Sequence, residues 1–349
     1  MSSKTRAEQA AATWEPITRD ASRREQRKTV VRKGPWLFAR RATLWPLTQV
    51  LQAAVDMVAM QLLDVEVLDR LLRGLEDYRH GDAYDSGPGN GERYYDDNAW
   101  LALALLDAAE VGSADGVERA RRLFGFIREG ERDGGIYWVE RPRHARHTCS
   151  TGPAAEIAFR LALAEKAAVP ADSARIDDYR RFGEAAMAFL VRELRRPDGL
   201  FADHVKDDGT VYPAIWSYNQ GTPVGAYVLW HRLTGDRGYL DFARETAVAA
   251  IAYFTHEDRL WQQPPVFNTV FMRNLLLLDG AEGFPAAVDL IDAYLDRAWR
   301  DARDPATGWF TGGGIGRYER GGSIDLAAFV QLYARAARRG AEGREPRKP

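Results

Sequence analysis

Two kinds of apolar pattern alternate along the chain. In the first, hydrophobic residues recur every three or four positions and leave a charged face: over 117–129, Val117, Ala120, Leu123, Phe124 and Ile127 form a stripe, with Arg119, Arg121, Arg122 and Arg128 expected in water. Segments 175–196 and 238–255 share this pattern and read as outer helices. In the second kind the apolar character runs nearly all round, as in 100–106, 154–159 and 224–230, and such a helix must be surrounded by other protein. Segments 266–278 and 324–333 repeat it, as does 44–62 less cleanly. With a short helix near 7–13 and others near 66–79 and 284–302, the order is outer then inner throughout, for twelve helices.

The links add a direction. Inner helices run into the next outer helix through short connections, whereas most returns from outer to inner are long, so the long loops gather on the face where inner helices begin. These loops resemble one another in Asp133-Gly134-Gly135-Ile136-Tyr137-Trp138, Asp198-Gly199-Leu200-Phe201, Arg259-Leu260-Trp261 and Gly308-Trp309-Phe310. Their spacing of roughly 50 to 60 residues equals one helical hairpin with its connections. An open stack of hairpins needs polar caps at its ends. None is visible, so the pattern predicts an all-α (α/α)6 toroid, a single domain over 1–340 with a disordered tail at 341–349.

Composition narrows the function. A formal charge of -2 over 349 residues leaves no electrostatic footprint for nucleic acid, and the basic stretch from Arg23 to Arg41 reads as solvated surface. Cys149 is the only cysteine, which excludes an internal disulfide and a CxxC metal site. No apolar run approaches the ~18 residues of a membrane span, and no leader pattern opens the chain, so the expectation is a cytoplasmic protein without membrane insertion. His144 and His147 have ligand-like spacing but sit among arginines, and Asp207-Asp208-Gly209-Thr210 lacks the glutamate of a calcium loop and reads as a turn. No metal and no cofactor is expected.

Candidate chemistry lies at the starts of the inner helices: Tyr94-Tyr95-Asp96-Asp97-Asn98-Ala99-Trp100, then Cys149-Ser150-Thr151, Trp216-Ser217-Tyr218-Asn219-Gln220, Val266-Phe267-Asn268 and Gly321-Gly322-Ser323. Aromatic rings beside Asn, Gln and Asp suit a sugar, whose faces stack and whose hydroxyls need partners. Asp96 and Asp97 are the sharpest feature. Residues one apart on a helix carry Cβ atoms on the order of 5 to 6 Å apart, close to the ~5 to 5.5 Å separation of retaining glycosidases. Like charge would raise one pKa while helix amides hold the other carboxylate ionised. An ordinary N-cap doublet is the plain alternative. Arg273, inside an apolar helix, should pair with a carboxylate or face the pocket.

The Tyr-Tyr-Asp-Asp-Asn-Ala-Trp and Tyr-Asn-Gln-Gly elements, with Asp198-Gly199-Leu200-Phe201 between them, resemble glycoside hydrolase family 76, the α-1,6-mannanases, over about 44–333. The resemblance implies an (α/α)6 toroid that cleaves α-1,6-linked mannosides with retention, Asp96 as nucleophile and Asp97 as general acid/base. It also implies a sugar-binding role for Asp203. Tyr95, Asn98, Trp138, Tyr218, Asn219, Gln220 and Asn268 complete the expected substrate contacts, an α-mannoside being the expected partner. Rival readings are a sugar epimerase or isomerase, which would use histidines at inner-helix ends, where the sequence shows none, and a non-catalytic carbohydrate-binding toroid. Magnesium-dependent isoprenoid chemistry is a further rival, but Trp100 stands where its third acidic residue belongs.

Overall fold

The computed structural model describes residues 1–20, 41–317 and 322–342. Its inner helices are α2 (Leu44–Ala59), α4 (Tyr95–Glu110), α6 (Thr148–Ala167), α8 (Ser217–Thr234), α11 (Pro265–Glu282) and α13 (Ser323–Glu342). Each packs on the next, α2 on α4, α4 on α6, α6 on α8, α8 on α11 and α11 on α13, and α13 returns to α2. The ring is closed, which is why helices such as α2, with almost every side chain buried, need no polar face. Outside it lie α1 (Ser3–Asp20), α3 (Val65–Leu75), α5 (Gly116–Glu129), α7 (Ser173–Phe189), α9 (Gly238–Thr255) and α12 (Pro285–Arg297), with a single turn, α10 (Arg259–Gln262), ahead of α11. This is the (α/α)6 toroid that the alternation predicts.

Three elements depart from expectation. The first outer helix spans Ser3–Asp20 rather than 7–13, and it lies along α13. Its buried stripe, Arg6, Gln9, Ala10, Thr13, Trp14 and Ile17, has helical spacing but is half polar, so hydrophobicity alone understates it. Arg6 is satisfied there by Asp292 and Asp296 of α12, at 2.6 and 2.7 Å. Arg119 does not face water: it is buried and donates to Glu76 and to the Tyr84 hydroxyl. Helix α13 continues to Glu342, past the expected start of the tail, while 343–349 and, apart from Arg41, the basic stretch fall outside the described residues.

The long loops carry short strands that the sequence pattern does not show. Strands β1 (Arg79–His80) and β2 (Ala83–Tyr84) form one hairpin, and β3 (Glu131–Arg132) and β4 (Gly135–Ile136) another. Asp133 and Gly134 turn the second with φ of 54° and 90°, the left-handed pair a two-residue hairpin requires. Strand β5 (Ala145–His147) pairs with β6 (His204–Lys206), which pairs with β7 (Val211–Tyr212) across the Asp208-Gly209 turn. The loops after α5 and α7 are thereby one sheet over the mouth of the ring. Among the described residues no helix is long and apolar enough to cross a membrane.

Candidate active site

The inner helices begin around a cavity of about 370 Å³. Trp45 of α2, Asp96, Asp97 and Trp100 of α4, Cys149 of α6, Tyr218 of α8 and Phe267 of α11 line it, with Trp138, His147, Asp203, Trp216, Pro264 and Arg317 from the loops. Helical geometry explains the selection on α4: Trp100 lies four residues after Asp96 and three after Asp97, so all three share one face, while Tyr95 and Asn98 are turned away.

Asp96 is held in place. Its Oδ2 accepts from the indole Nε1 of Trp138 at 2.9 Å and from the Cys149 thiol at 3.8 Å, while Oδ1 has no partner among the described residues. Trp138 in turn is anchored, because its carbonyl accepts from the Tyr95 amide at 2.8 Å. Burial lifts the Asp96 carboxyl to about 7, against the pull of the indole and of the first-turn amides. Asp97 is driven well above the carboxylate range, first by burial and then by the charge of Asp96. The expected balance is therefore corrected: helix amides do not keep one carboxyl at its usual acidity, because desolvation outweighs them and raises both. The two carboxyls titrate together, and the indole and thiol donors to Asp96 favour its ionised form.

Asp203 lines the same cavity as Asp96, and both charges act on Cys149 and Tyr218. Its Oδ1 accepts from Asn219 at 3.0 Å and its Oδ2 meets His204 Nδ1 at 2.9 Å, so its orientation is fixed from both sides. Thr148 at the start of α6 binds the Asp203 carbonyl at 2.9 Å, a direct result of the β5–β6 pairing. Tyr218 stacks on Phe267 with centroids 4.0 Å apart.

Of the expected contacts, Asp96, Asp97, Trp138, Asp203 and Tyr218 meet at the cavity, and five do not. Tyr95 is fully buried, stacked on Phe126 with its hydroxyl accepting from Arg143. Asn98 bridges the backbone of Tyr84 and Tyr94. Gln220 ties Phe201 and Trp216 together, and Asn268 joins Ser217 to the Leu260 carbonyl. Asn219 reaches the cavity only through Asp203. Asn98, Gln220 and Asn268 are buried and spent on backbone or on neighbours, and Asn219, whose Oδ1 has no partner among the described residues, gives its amide nitrogen to Asp203, so the expected sugar contact of these amides is corrected to one of shaping the walls. Arg273 also departs from expectation: it makes no ion pair within 4.0 Å among the described residues, and it lines a different cavity.

Sequence reasoning passed over Trp45, His147 and Arg317 as cavity residues, and it placed Trp100, Cys149, Trp216 and Phe267 at the pocket mouth without naming them as contacts. His147 also corrects the view that no inner helix begins at a histidine, since it directly precedes α6. Its ring stacks between Trp138, at 5.6 Å, and His204, at 4.4 Å, and Tyr212 extends the column beyond His204. Burial, with His204 beside it, pushes His147 down to about 3, so it is neutral. His147, Asp203 and His204 bring ligand atoms within 4.8 Å of one another. The two imidazoles lie nearly parallel, however, at 20°, so their in-plane lone pairs do not converge as a metal would require.

A carboxyl pair set among aromatic rings, at the end of a closed helical ring where the inner helices start, defines a carbohydrate-active enzyme of the toroid class. Comparison with known proteins gives the family. The model of glycosyl hydrolase family 76 matches residues 8–309. A family 76 mannosidase from Bacteroides thetaiotaomicron superposes with a TM-score of 0.81 at 24% identity, covering 97% of this chain and 100% of its own. An α-mannanase of the family, also from Bacteroides thetaiotaomicron, gives 0.82 at 16% identity over 99% and 98%. An inactive variant of the α-1,6-mannanase from Salegentibacter sp. HEL1_6, with two consecutive aspartates changed to asparagine and α-1,6-mannotriose bound, gives 0.79 at 19% over 95% and 99%. No curated protein sequence matches the chain. The chain belongs to glycosyl hydrolase family 76 and is a glycoside hydrolase.

Proposed function

We propose that this enzyme hydrolyses α-1,6-linked mannosides with retention, using Asp96 as nucleophile and Asp97 as general acid/base. The observation that carries the reading is the pair itself: two adjacent carboxyls lining one cavity, the first held by the Trp138 indole and the second raised by burial and by its neighbour's charge. In the first step the Asp97 proton passes to the glycosidic oxygen as the bond to C1 breaks, and an Asp96 oxygen bonds C1. In the second, Asp97 takes a proton from water, whose oxygen displaces Asp96 from C1 and restores both groups. Trp100, Trp45 and Trp216 offer ring faces or edges to the sugars, and Asp203, fixed by Asn219 and His204, offers an acceptor for hydroxyls. The bound α-1,6-mannotriose of the Salegentibacter protein, whose two consecutive aspartates had been replaced, supports the choice of linkage and of residues.

The test is Asp96→Asn and Asp97→Asn, each assayed on α-1,6-mannotriose with product anomer followed by NMR. Loss of turnover by a factor of about 10³ or more in both, with retained trisaccharide binding and α-mannose as the first product of the wild type, is expected. Turnover near wild-type level in either variant, or inversion at C1, refutes the assignment.

His147 at the cavity is the one observation favouring a monosaccharide isomerase. A neutral imidazole held between two rings with a strongly lowered basicity is a weak proton acceptor, which counts against that reading. Release of reducing ends, as opposed to interconversion of free mannose, separates the two.

A further inference from the structure

At the opposite end of the ring, where the inner helices finish, a second and larger cavity of about 1050 Å³ opens. Its charged lining is unusual for an inner wall. Arg335 pairs with Asp56 at 2.8 Å and with Asp107 at 3.0 Å, and Arg160 with Asp107 and with Glu110 at 2.5 and 2.7 Å. Those pairs use three of the four carboxylates that line the space, and the fourth, Glu156, lies 2% exposed. Arg273 is left over. It is only 8% exposed, it lines the cavity, and it makes no hydrogen bond or ion pair among the described residues. Glu156 first, then Asp107 and Asp56, act on it through space, without contact within 4.0 Å.

A guanidinium so placed is costly, since a buried charge is ordinarily matched by hydrogen-bonded partners. Arginines at helix C-termini are often explained by the carbonyl ends they neutralise. That explanation does not reach Arg273, which precedes the end of α11 at Glu282 by about two and a half turns. Arg232 of α8, on the rim of the same cavity, also has no ion pair among the described residues.

We propose that this rear cavity binds a small multivalent oxyanion, a phosphate or carboxylate group, with Arg273 as its principal ligand and Arg232 at the entrance. Planar guanidinium forks match both groups, and the ligand supplies the acceptors that the protein withholds from Arg273. The site is separate from the carboxyl pair and does not depend on what glycan the enzyme cleaves.

The test titrates the full-length enzyme with inorganic phosphate and, separately, with citrate, following Tm and heat of binding, with potassium chloride at matched ionic strength as the control. Saturable binding of at least one anion, beyond the chloride effect, is expected, and the two arms tell phosphate from carboxylate. Arg273→Gln should weaken it by at least about 10-fold, as loss of a charged hydrogen bond implies, with Arg273→Lys retaining part and Arg232→Gln losing less. The KM for α-1,6-mannotriose should be unchanged by the anion. The proposal is overturned if neither anion exceeds chloride, if both Arg273 variants fold and bind like wild type, or if the anion competes with the trisaccharide.

Discussion

Replacing Trp138 with Phe removes the indole N–H from Asp96 while leaving a ring to pack against His147 and Tyr94. The bond is 2.9 Å long and is charge-assisted whenever Asp96 is ionised. Such bonds contribute about 1.5–3 kcal/mol in protected settings. Trp138 is 41% exposed, so water recovers part of the loss, and about 1.4 kcal/mol is a reasonable value, equal to one pKa unit. Asp96, already near 7, should move to about 8. Since the proposed nucleophile must be ionised, the acidic limb of kcat/KM against pH shifts upward by about one unit. At pH 7 the ionised fraction falls from about a half to about a tenth, a loss of roughly fivefold that is recovered at higher pH until Asp97 deprotonates. The assay is a pH profile on α-1,6-mannotriose for wild type and variant side by side. An unmoved acidic limb, or a loss of equal size at every pH, would show that the indole does not control Asp96.

The same pair should cost stability. The folded pKa of Asp96 is raised above 3.8, so the native state holds its proton where the unfolded chain releases it, and stability falls as pH climbs from about 4 to about 7. A shift to about 7 corresponds to at most ~4 kcal/mol, discounted to about 1–2 kcal/mol because the carboxyl still meets the water of the cavity. Asp96→Asn should therefore raise Tm by a few degrees at pH 8 and by nothing measurable at pH 4, read by calorimetry; an equal gain at both values would contradict the linkage. At the other end of the ring, Asp107→Ala leaves Arg160 with Glu110 alone and Arg335 with Asp56 alone, and a loss of about 1–3 kcal/mol in denaturant unfolding is expected with KM intact. A loss below about 1 kcal/mol would mean that water replaces the carboxylate freely.

The ring of helices is legible in the sequence because burial leaves a pattern: inner segments are apolar all round, outer ones on one face. Helix α1 is read short because its packing face carries Arg6, Gln9 and Thr13, and only the carboxylates of α12, nearly three hundred residues away, make an arginine acceptable there. Asp96 and Asp97 stand out as charges opening a buried helix. Their neighbours Tyr95 and Asn98 are misassigned because proximity in sequence is not proximity on a helix, where each step turns by about 100°. Gln220 and Asn268 fail for a similar reason, since a buried amide beside a site and one within it look alike until its hydrogen bonds are known. Trp45 and Arg317 were not singled out by any local signal. Their meeting depends on closure of α13 onto α2 and on loops whose strand pairing has no counterpart in the periodicity.

That pairing has a consequence for how this enzyme can diversify. Because β5 and β6 are hydrogen-bonded in register, His147 opposite His204, and Tyr137 bridges to Arg146, the segment presenting Trp138 and the segment presenting Asp203 are tied to one another. An insertion or deletion in one would drag the other out of alignment with Asp96. New glycan preferences are thus most readily gained near Pro264 and Arg317, where lengthening a connection leaves the supports of Asp96 untouched.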